Sequence, residues 1–121
     1  RASSKEQRAF GEAARRYAGK AVRAMGRELK RFRKEKGVDE KFMARAMDIS
    51  VEFYRRCEAG HGGNLPAHKI ILYANLYPLR ERYAAISRLC GEPSYPEEAQ
   101  KKWDARIDAM SPEERAAWES C

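Results

Sequence analysis

Arg55 and Arg56 close a short segment in which Glu52 and Phe53 stand one turn earlier, and these residues hold the most usable chemistry in the chain. A guanidinium donates through a planar fork, a carboxylate accepts, and an aromatic ring offers an apolar face. Such groups recognise a partner; they do not make or break bonds. Bond-making chemistry finds little elsewhere. Ser87, Ser94 and the three cysteines (Cys57, Cys90, Cys121) have no glycine elbow and no base beside them. The glycine-rich residues 60–64 lack the Lys-Ser/Thr of a phosphate loop. His61 and His68 are too far apart, and too short of cysteine or carboxylate neighbours, to predict a metal site. The paired carboxylates Glu97-Glu98 and Glu113-Glu114 fall in first turns of helices, where the helix dipole accounts for them. The reading is therefore of a protein that is not an enzyme, with no catalytic residue, metal or cofactor.

The recognition groups need elements to hold them. Residues 37–60 read as two short helices joined by a tight turn. Asp39 caps the first, whose apolar positions are Met43, Ala44 and Met47. The chain turns at Asp48 and Ile49, and Ser50 caps a second helix that buries Tyr54 and Cys57 and stops at Gly60. Ser and Asp suit these caps because their oxygens accept from unpaired N–H groups of the first turn. Two helices this short need flanking helices to bury their apolar face. The second keeps a charged, aromatic outer face, and a helix-turn-helix that lays this helix in a DNA major groove is the sharpest reading. Residues 60–64 then form the turn after it, with backbone N–H groups that could meet a phosphate beside His61.

At these residues the chain resembles the Cro/repressor-type helix-turn-helix proteins, the XRE-like or lambda-repressor-like family. The resemblance covers residues 25–77. It is carried by Met25, Gly26, Arg27, Glu28 and Leu29 opening a helix, by Phe32 and Arg33, and by Gly37 ending that helix. Met43 and Ala44, Ile49 and Ser50, and Glu58, Ala59 and Gly60 follow in order, then Asn64, Leu65 and Pro66, and Ile71, Ala74 and Leu76. The family implies an ion pair between Arg33 and Glu58 that sets the angle of the recognition helix, residues 50–59. It implies that Val51, Glu52, Phe53 and Arg56 face base edges, and that Arg55, Lys41 and His61 contact the DNA backbone. It also implies a bacterial or phage transcription regulator binding double-stranded DNA as a homodimer. Three positions depart from the family pattern: Asp48 replaces the usual turn Gly, Glu40 a phosphate-contacting Gln, and Ala59 a polar residue. Asp tolerates a left-handed turn, whereas the Glu40 charge would repel a phosphate. An alternative follows from the same departures: a protein-interaction module with this fold, such as an antitoxin or a partner of the transcription machinery.

The rest of the chain bounds these readings. At 121 residues it predicts one all-α domain: a basic helix over 1–24, the helix-turn-helix module over 25–90 and a helical extension over 91–121. No apolar run is long enough to span a membrane. No signal-peptide pattern opens the chain, whose first residue, Arg, suggests a missing or processed N-terminus. The odd, unpaired cysteines fit reduced thiols in the cytoplasm. The net charge of +7 divides unevenly: +9 over residues 1–36, −1 over 37–60, +3 over 61–90 and −4 over 91–121. That balance favours a polyanionic partner, nucleic acid first, with an acidic protein as the other choice.

Helical periodicity predicts elements throughout. Phe10, Ala14, Tyr17 and Ala21 share one face of a helix over 5–23, and Gly26 offers a break after it, although a continuous helix to Lys36 would also fit. Pro66 opens a helix whose inner face is Ile70, Tyr73, Ala74 and Tyr77; Pro78 interrupts it, and Leu79, Tyr83, Ile86 and Cys90 line the next. Ala99, Trp103, Ile107 and Met110 line one side of a further helix, and Ser111 with Glu114 reads as a capping box for the last. Trp103, Ile107 and Trp118 are the first candidates for a dimer interface.

Overall fold

Ser3 accepts a hydrogen bond from the Glu6 N–H (3.2 Å) while the Glu6 carboxylate takes the Ser3 N–H (3.2 Å), a reciprocal cap that starts helix α1, Ser4–Lys36. The computed structural model describes residues 3–62, 65–91 and 96–120, with side chains at all of these but 10 and 13–19. Within them the chain is all helical. After α1 come α2 (Glu40–Met47), α3 (Val51–Glu58), α4 (Ala67–Ala74), a 3-10 turn (Leu79–Glu81), α5 (Arg82–Leu89), α6 (Glu97–Ala109) and α7 (Pro112–Glu119). No described helix is long and apolar enough to cross a membrane.

Helix α1 runs 33 residues without a break, about 50 Å at 1.5 Å per residue. Gly26 does not interrupt it. A Cβ at this position would lie 2.5 Å from the Cys57 carbonyl oxygen and 2.7 Å from that of Glu58. The glycine is there because α1 crosses the end of α3 with backbone nearly touching backbone. Of the apolar face read over residues 5–23, Ala21 is half-buried, and the side chains of Phe10, Ala14 and Tyr17 lie outside the described residues.

The main core lies where the second half of α1 meets α2 to α5. Leu29, Met43, Met47, Tyr54, Cys57 and Tyr73 are fully enclosed there, with Met25, Phe32, Ala85 and Leu89 around them. Phe32, Tyr73 and Tyr77 form an aromatic trio with ring centres 5.2 to 5.6 Å apart, a separation at which edge-to-face contact is favourable. Tyr73 and Tyr77 share a hydrogen bond at their hydroxyls (2.9 Å).

A second apolar cluster holds the C-terminal helices. Trp103 and Ile107 of α6 are buried with Leu79, and Trp118 of α7 packs edge-on to Trp103 at 5.6 Å. The Trp103 indole donates to the Leu79 carbonyl (2.8 Å). Of the three first candidates for a dimer interface, Trp103 and Ile107 are buried within the chain and Trp118 stays partly exposed. The buried Arg82 joins the two parts: its guanidinium donates to the Tyr77 carbonyl (3.2 Å) and to the Trp118 carbonyl at the end of α7 (2.7 Å).

Two local expectations need correction. The buried positions of α5 are Arg82, Ala85 and Leu89, while Tyr83 and Cys90 are exposed. The helical period was right, but the face is one residue out. The 3-10 turn over 79–81 advances the chain at three residues per turn, so a phase counted from Leu79 does not carry into α5. At α7, Ser111 accepts from the Glu114 N–H (3.1 Å), but the Glu114 carboxylate is held by Arg106 (3.0 Å), leaving half a capping box.

Candidate functional site

Asp39 and Ser50 cap α2 and α3, their side chains accepting from Phe42 N–H (2.8 Å) and Phe53 N–H (3.1 Å). Three residues separate the helices, and the turn is made by Asp48 in the left-handed region (φ 53°). Its strain is supported locally. The N–H groups of Asp48 and Ile49 close the end of α2 on Arg45 and Ala44 carbonyls (3.2 and 3.0 Å), and Lys69 of α4 donates to the Asp48 carbonyl and carboxylate. Asp in place of Gly therefore adds a carboxylate bond to Lys69 (3.1 Å) that Gly could not make.

The angle of α3 is set by Arg33 and Glu58. Arg33 Nε lies 2.8 Å from Glu58 Oε2 and Nη2 lies 2.9 Å from Oε1, a two-bond fork from α1 to the last residue of α3. The side chains are 21% and 11% exposed, at the rim of the core. The fork raises the Arg33 pKa above its ordinary value. At Glu58, burial works against the charge, but hydrogen bonding and charge from Arg33 outweigh it and the carboxyl pKa is lowered. The buried Tyr54 hydroxyl lies beside this carboxylate without a hydrogen bond of good geometry; burial, and then the nearby Glu58, push its pKa up. Below the fork, Gly26 lets α1 sit directly on the Cys57 and Glu58 carbonyls. Together these contacts hold the C-terminal end of α3 rigidly against α1.

With Tyr54 and Cys57 turned inward, the outer face of α3 is Glu52, Arg55, Arg56 and Ala59, all exposed. Val51 and Phe53, expected on the base-facing side, are half-buried and pack against the core. The reason is angular. An eight-residue helix makes barely two turns, so the two residues flanking the buried stripe are drawn into its edge. Phe53 keeps one face available, and the Arg56 guanidinium lies 5.6 Å above that ring. Arg56 is thus pre-positioned by a cation–π contact.

Arg55 is engaged within the chain. Its Nε lies 2.6 Å from Glu40 Oε2, linking α3 to the first residue of α2. The Glu40 charge, expected to repel a phosphate, is balanced by this neighbour, and Arg55, expected on the DNA backbone, is the balancing group. Arg55 is 59% exposed and Glu40 34%, and a pair this open to solvent contributes little to stability and exchanges readily.

Lys41 and His61 are exposed at the two edges of this surface. The turn after α3 differs from expectation. Gly60 N–H donates to the Cys57 carbonyl (3.1 Å) and His61 N–H to the Arg56 carbonyl (2.8 Å), so these two groups end the helix and are not free for a phosphate. Gly63 and Asn64 lie outside the described residues. Sequence reasoning passed over Phe42, 47% exposed on α2, and Ile71, 50% exposed on α4 although it is one of the family-resembling positions. No signal short of the packed structure marks either as exposed, since both types normally fill a core. No protein-family model, curated protein or solved structure matches this chain significantly.

Proposed function

We propose that the chain is a sequence-specific DNA-binding transcription regulator, with residues 25–90 in a lambda-repressor-like arrangement and α3 entering the major groove. The observation that carries this reading is the bidentate Arg33–Glu58 pair, which braces α3 from behind while its outer face stays open. A helix that reads base edges must be held at a fixed angle, because its few contacts discriminate only when their geometry is kept. Arg56, lying over Phe53, is suited to guanine O6 and N7, and Glu52 to cytosine N4. Val51 and Phe53 offer edges to a thymine methyl group. Lys41 and His61 act on phosphates, and Arg55 does so by exchanging Glu40 for a phosphate oxygen. The reading includes a homodimer on a two-fold site. Of its three first candidates for the interface, Trp103 and Ile107 are enclosed within the chain, and the partly exposed Trp118 is the one left accessible.

Selection of bound sequences from a random duplex pool tests this directly. A two-fold motif should be enriched, and Arg56→Ala should lose about 1–3 kcal/mol on that motif and little on random duplex. Failure to enrich any motif would end the reading. The second reading, docking of an acidic protein such as a toxin or a component of the transcription machinery, is favoured by one observation. The Glu40–Arg55 pair leaves the outer face of α3 with less free positive charge than a phosphate-binding surface commonly has. An empty selection would move the proposal there.

A further inference from the structure

Because α1 is unbroken, Lys20, Arg23, Arg27, Lys30 and Lys34 fall at alternating steps of three and four residues along one helix. That spacing keeps them on a single side. All five are exposed, and none makes an ion pair among the described residues. The stripe runs about 21 Å. The contrast within the helix is sharp. Arg31 and Arg33 are bound by Glu28, Glu35 and Glu58. Glu28, the only acid between positions 20 and 34, lies away from the stripe, held by Arg31 and Arg88. No acidic or apolar residue interrupts the five cations on their side of the helix. The stripe also joins the outer edge of α3. The Arg23 side chain lies against Gly60, where a Cβ would come within 3.2 Å of its Cγ. Lys30 shares a shallow depression with the Arg33–Glu58 and Arg55–Glu40 pairs and Ala59.

We propose that this side of α1 is a rail for the phosphate backbone of duplex DNA, lying beside the groove that α3 reads. It rests on the DNA-binding reading and adds to it where the backbone runs. Charge complementarity commits it to a phosphate backbone. Phosphates follow one another along a strand at a spacing comparable to the three- and four-residue steps of the stripe, so roughly three of them can face its length at once. A protein partner would need an apolar centre to its interface, and this stripe has none. Among the described residues none of the five is held in an ion pair, with only Lys30 feeling the Glu58 charge nearby, and counterion release drives their association with the strand.

The test is salt-dependent binding of the full chain to a random-sequence duplex and to polyglutamate. The variant is Lys20→Gln, Arg27→Gln and Lys34→Gln together, which spares Arg23 and Lys30 beside α3 and keeps good helix formers. A matched control is Lys101→Gln, Lys102→Gln and Arg115→Gln, with circular dichroism confirming both folds. The rail variant should bind random duplex at least ten-fold more weakly at low salt. Its log–log salt slope should flatten by about 2–3, while preference for a selected motif stays as in the parent. Duplex binding with an unchanged slope would overturn the rail and leave the DNA reading standing. An equal loss in the control would reduce it to net charge. Polyglutamate bound more tightly than duplex, and lost in the rail variant, would assign the stripe to an acidic protein. No binding of the parent chain to any duplex at low salt would end both.

Discussion

Glu58 shows how one carboxylate can hold an element and set a pH limit. Its pKa lies below the ordinary 4.5 because the Arg33 fork outweighs the cost of burial, and Glu28 is likewise lowered by Arg31 and Arg88 against its own burial. A carboxyl group with a depressed folded pKa contributes stability that is complete above 4.5 and is lost as pH falls through the folded value. Urea midpoints should therefore drop as pH falls below the ordinary 4.5, and Glu58→Gln should show a smaller drop. Arg33→Ala should cost about 2 kcal/mol at neutral pH, because it strands a mostly enclosed carboxylate, with solvent at the rim reducing the full penalty of a buried charge. A loss no larger than that of an exposed arginine would mean that the fork does not brace α3.

The crossing of α1 over α3 governs how α3 is presented. Glycine inside a helix normally costs about 1 kcal/mol against alanine, so Gly26→Ala at an open site would stabilise. Here the added methyl meets two backbone carbonyl oxygens at 2.5 and 2.7 Å, and neither can rotate away. Gly26→Ala should therefore destabilise by about 2 kcal/mol as α1 is pushed off α3. It should also weaken binding to a selected DNA motif more than a surface variant of equal stability, since the tilt of α3 changes. A rise in melting temperature would refute the close crossing.

At the level of the whole molecule, the aromatic residues are shared between two clusters of one chain. Trp103 donates to the Leu79 carbonyl, meets Tyr83 edge-to-face at 4.6 Å and Trp118 edge-to-face at 5.6 Å, and is 6% exposed. Trp103→Ala should cost about 3–5 kcal/mol and shift Trp118 fluorescence towards that of a solvated indole. The oligomeric state measured by ultracentrifugation should not change while the chain stays folded. Dissociation of an oligomer with stability intact would return Trp103 to an interface role. The charge divides along the same lines: among the described residues, cations outside any ion pair stand on α1, and the acids of α6 are paired, as Asp104 and Asp108 are with Arg80. Any polyanion would therefore be drawn to the α1 side of the molecule.

The local signals in this chain were legible in one dimension. Caps at Asp39, Ser50 and Ser111, the left-handed Asp48 and the buried positions Met43, Met47, Tyr54 and Cys57 follow from side-chain oxygens and a 3.6-residue period acting over a few neighbours. The Arg33–Glu58 pair, 25 positions apart, came from resemblance, because no local rule links residues so distant. The packed structure alone decided which way a residue at the edge of a face turns. Val51 and Phe53 rotate into the core margin, α5 is phased by the 3-10 turn ahead of it, and Arg55 finds Glu40 across 15 positions. Gly26 marks the boundary between the two kinds of knowledge. Its residue type is ambiguous between a helix break and a close crossing, and only the backbone of α3 lying against it makes it a crossing. That one outcome also keeps α1 continuous, and so brings five scattered lysines and arginines onto a single side.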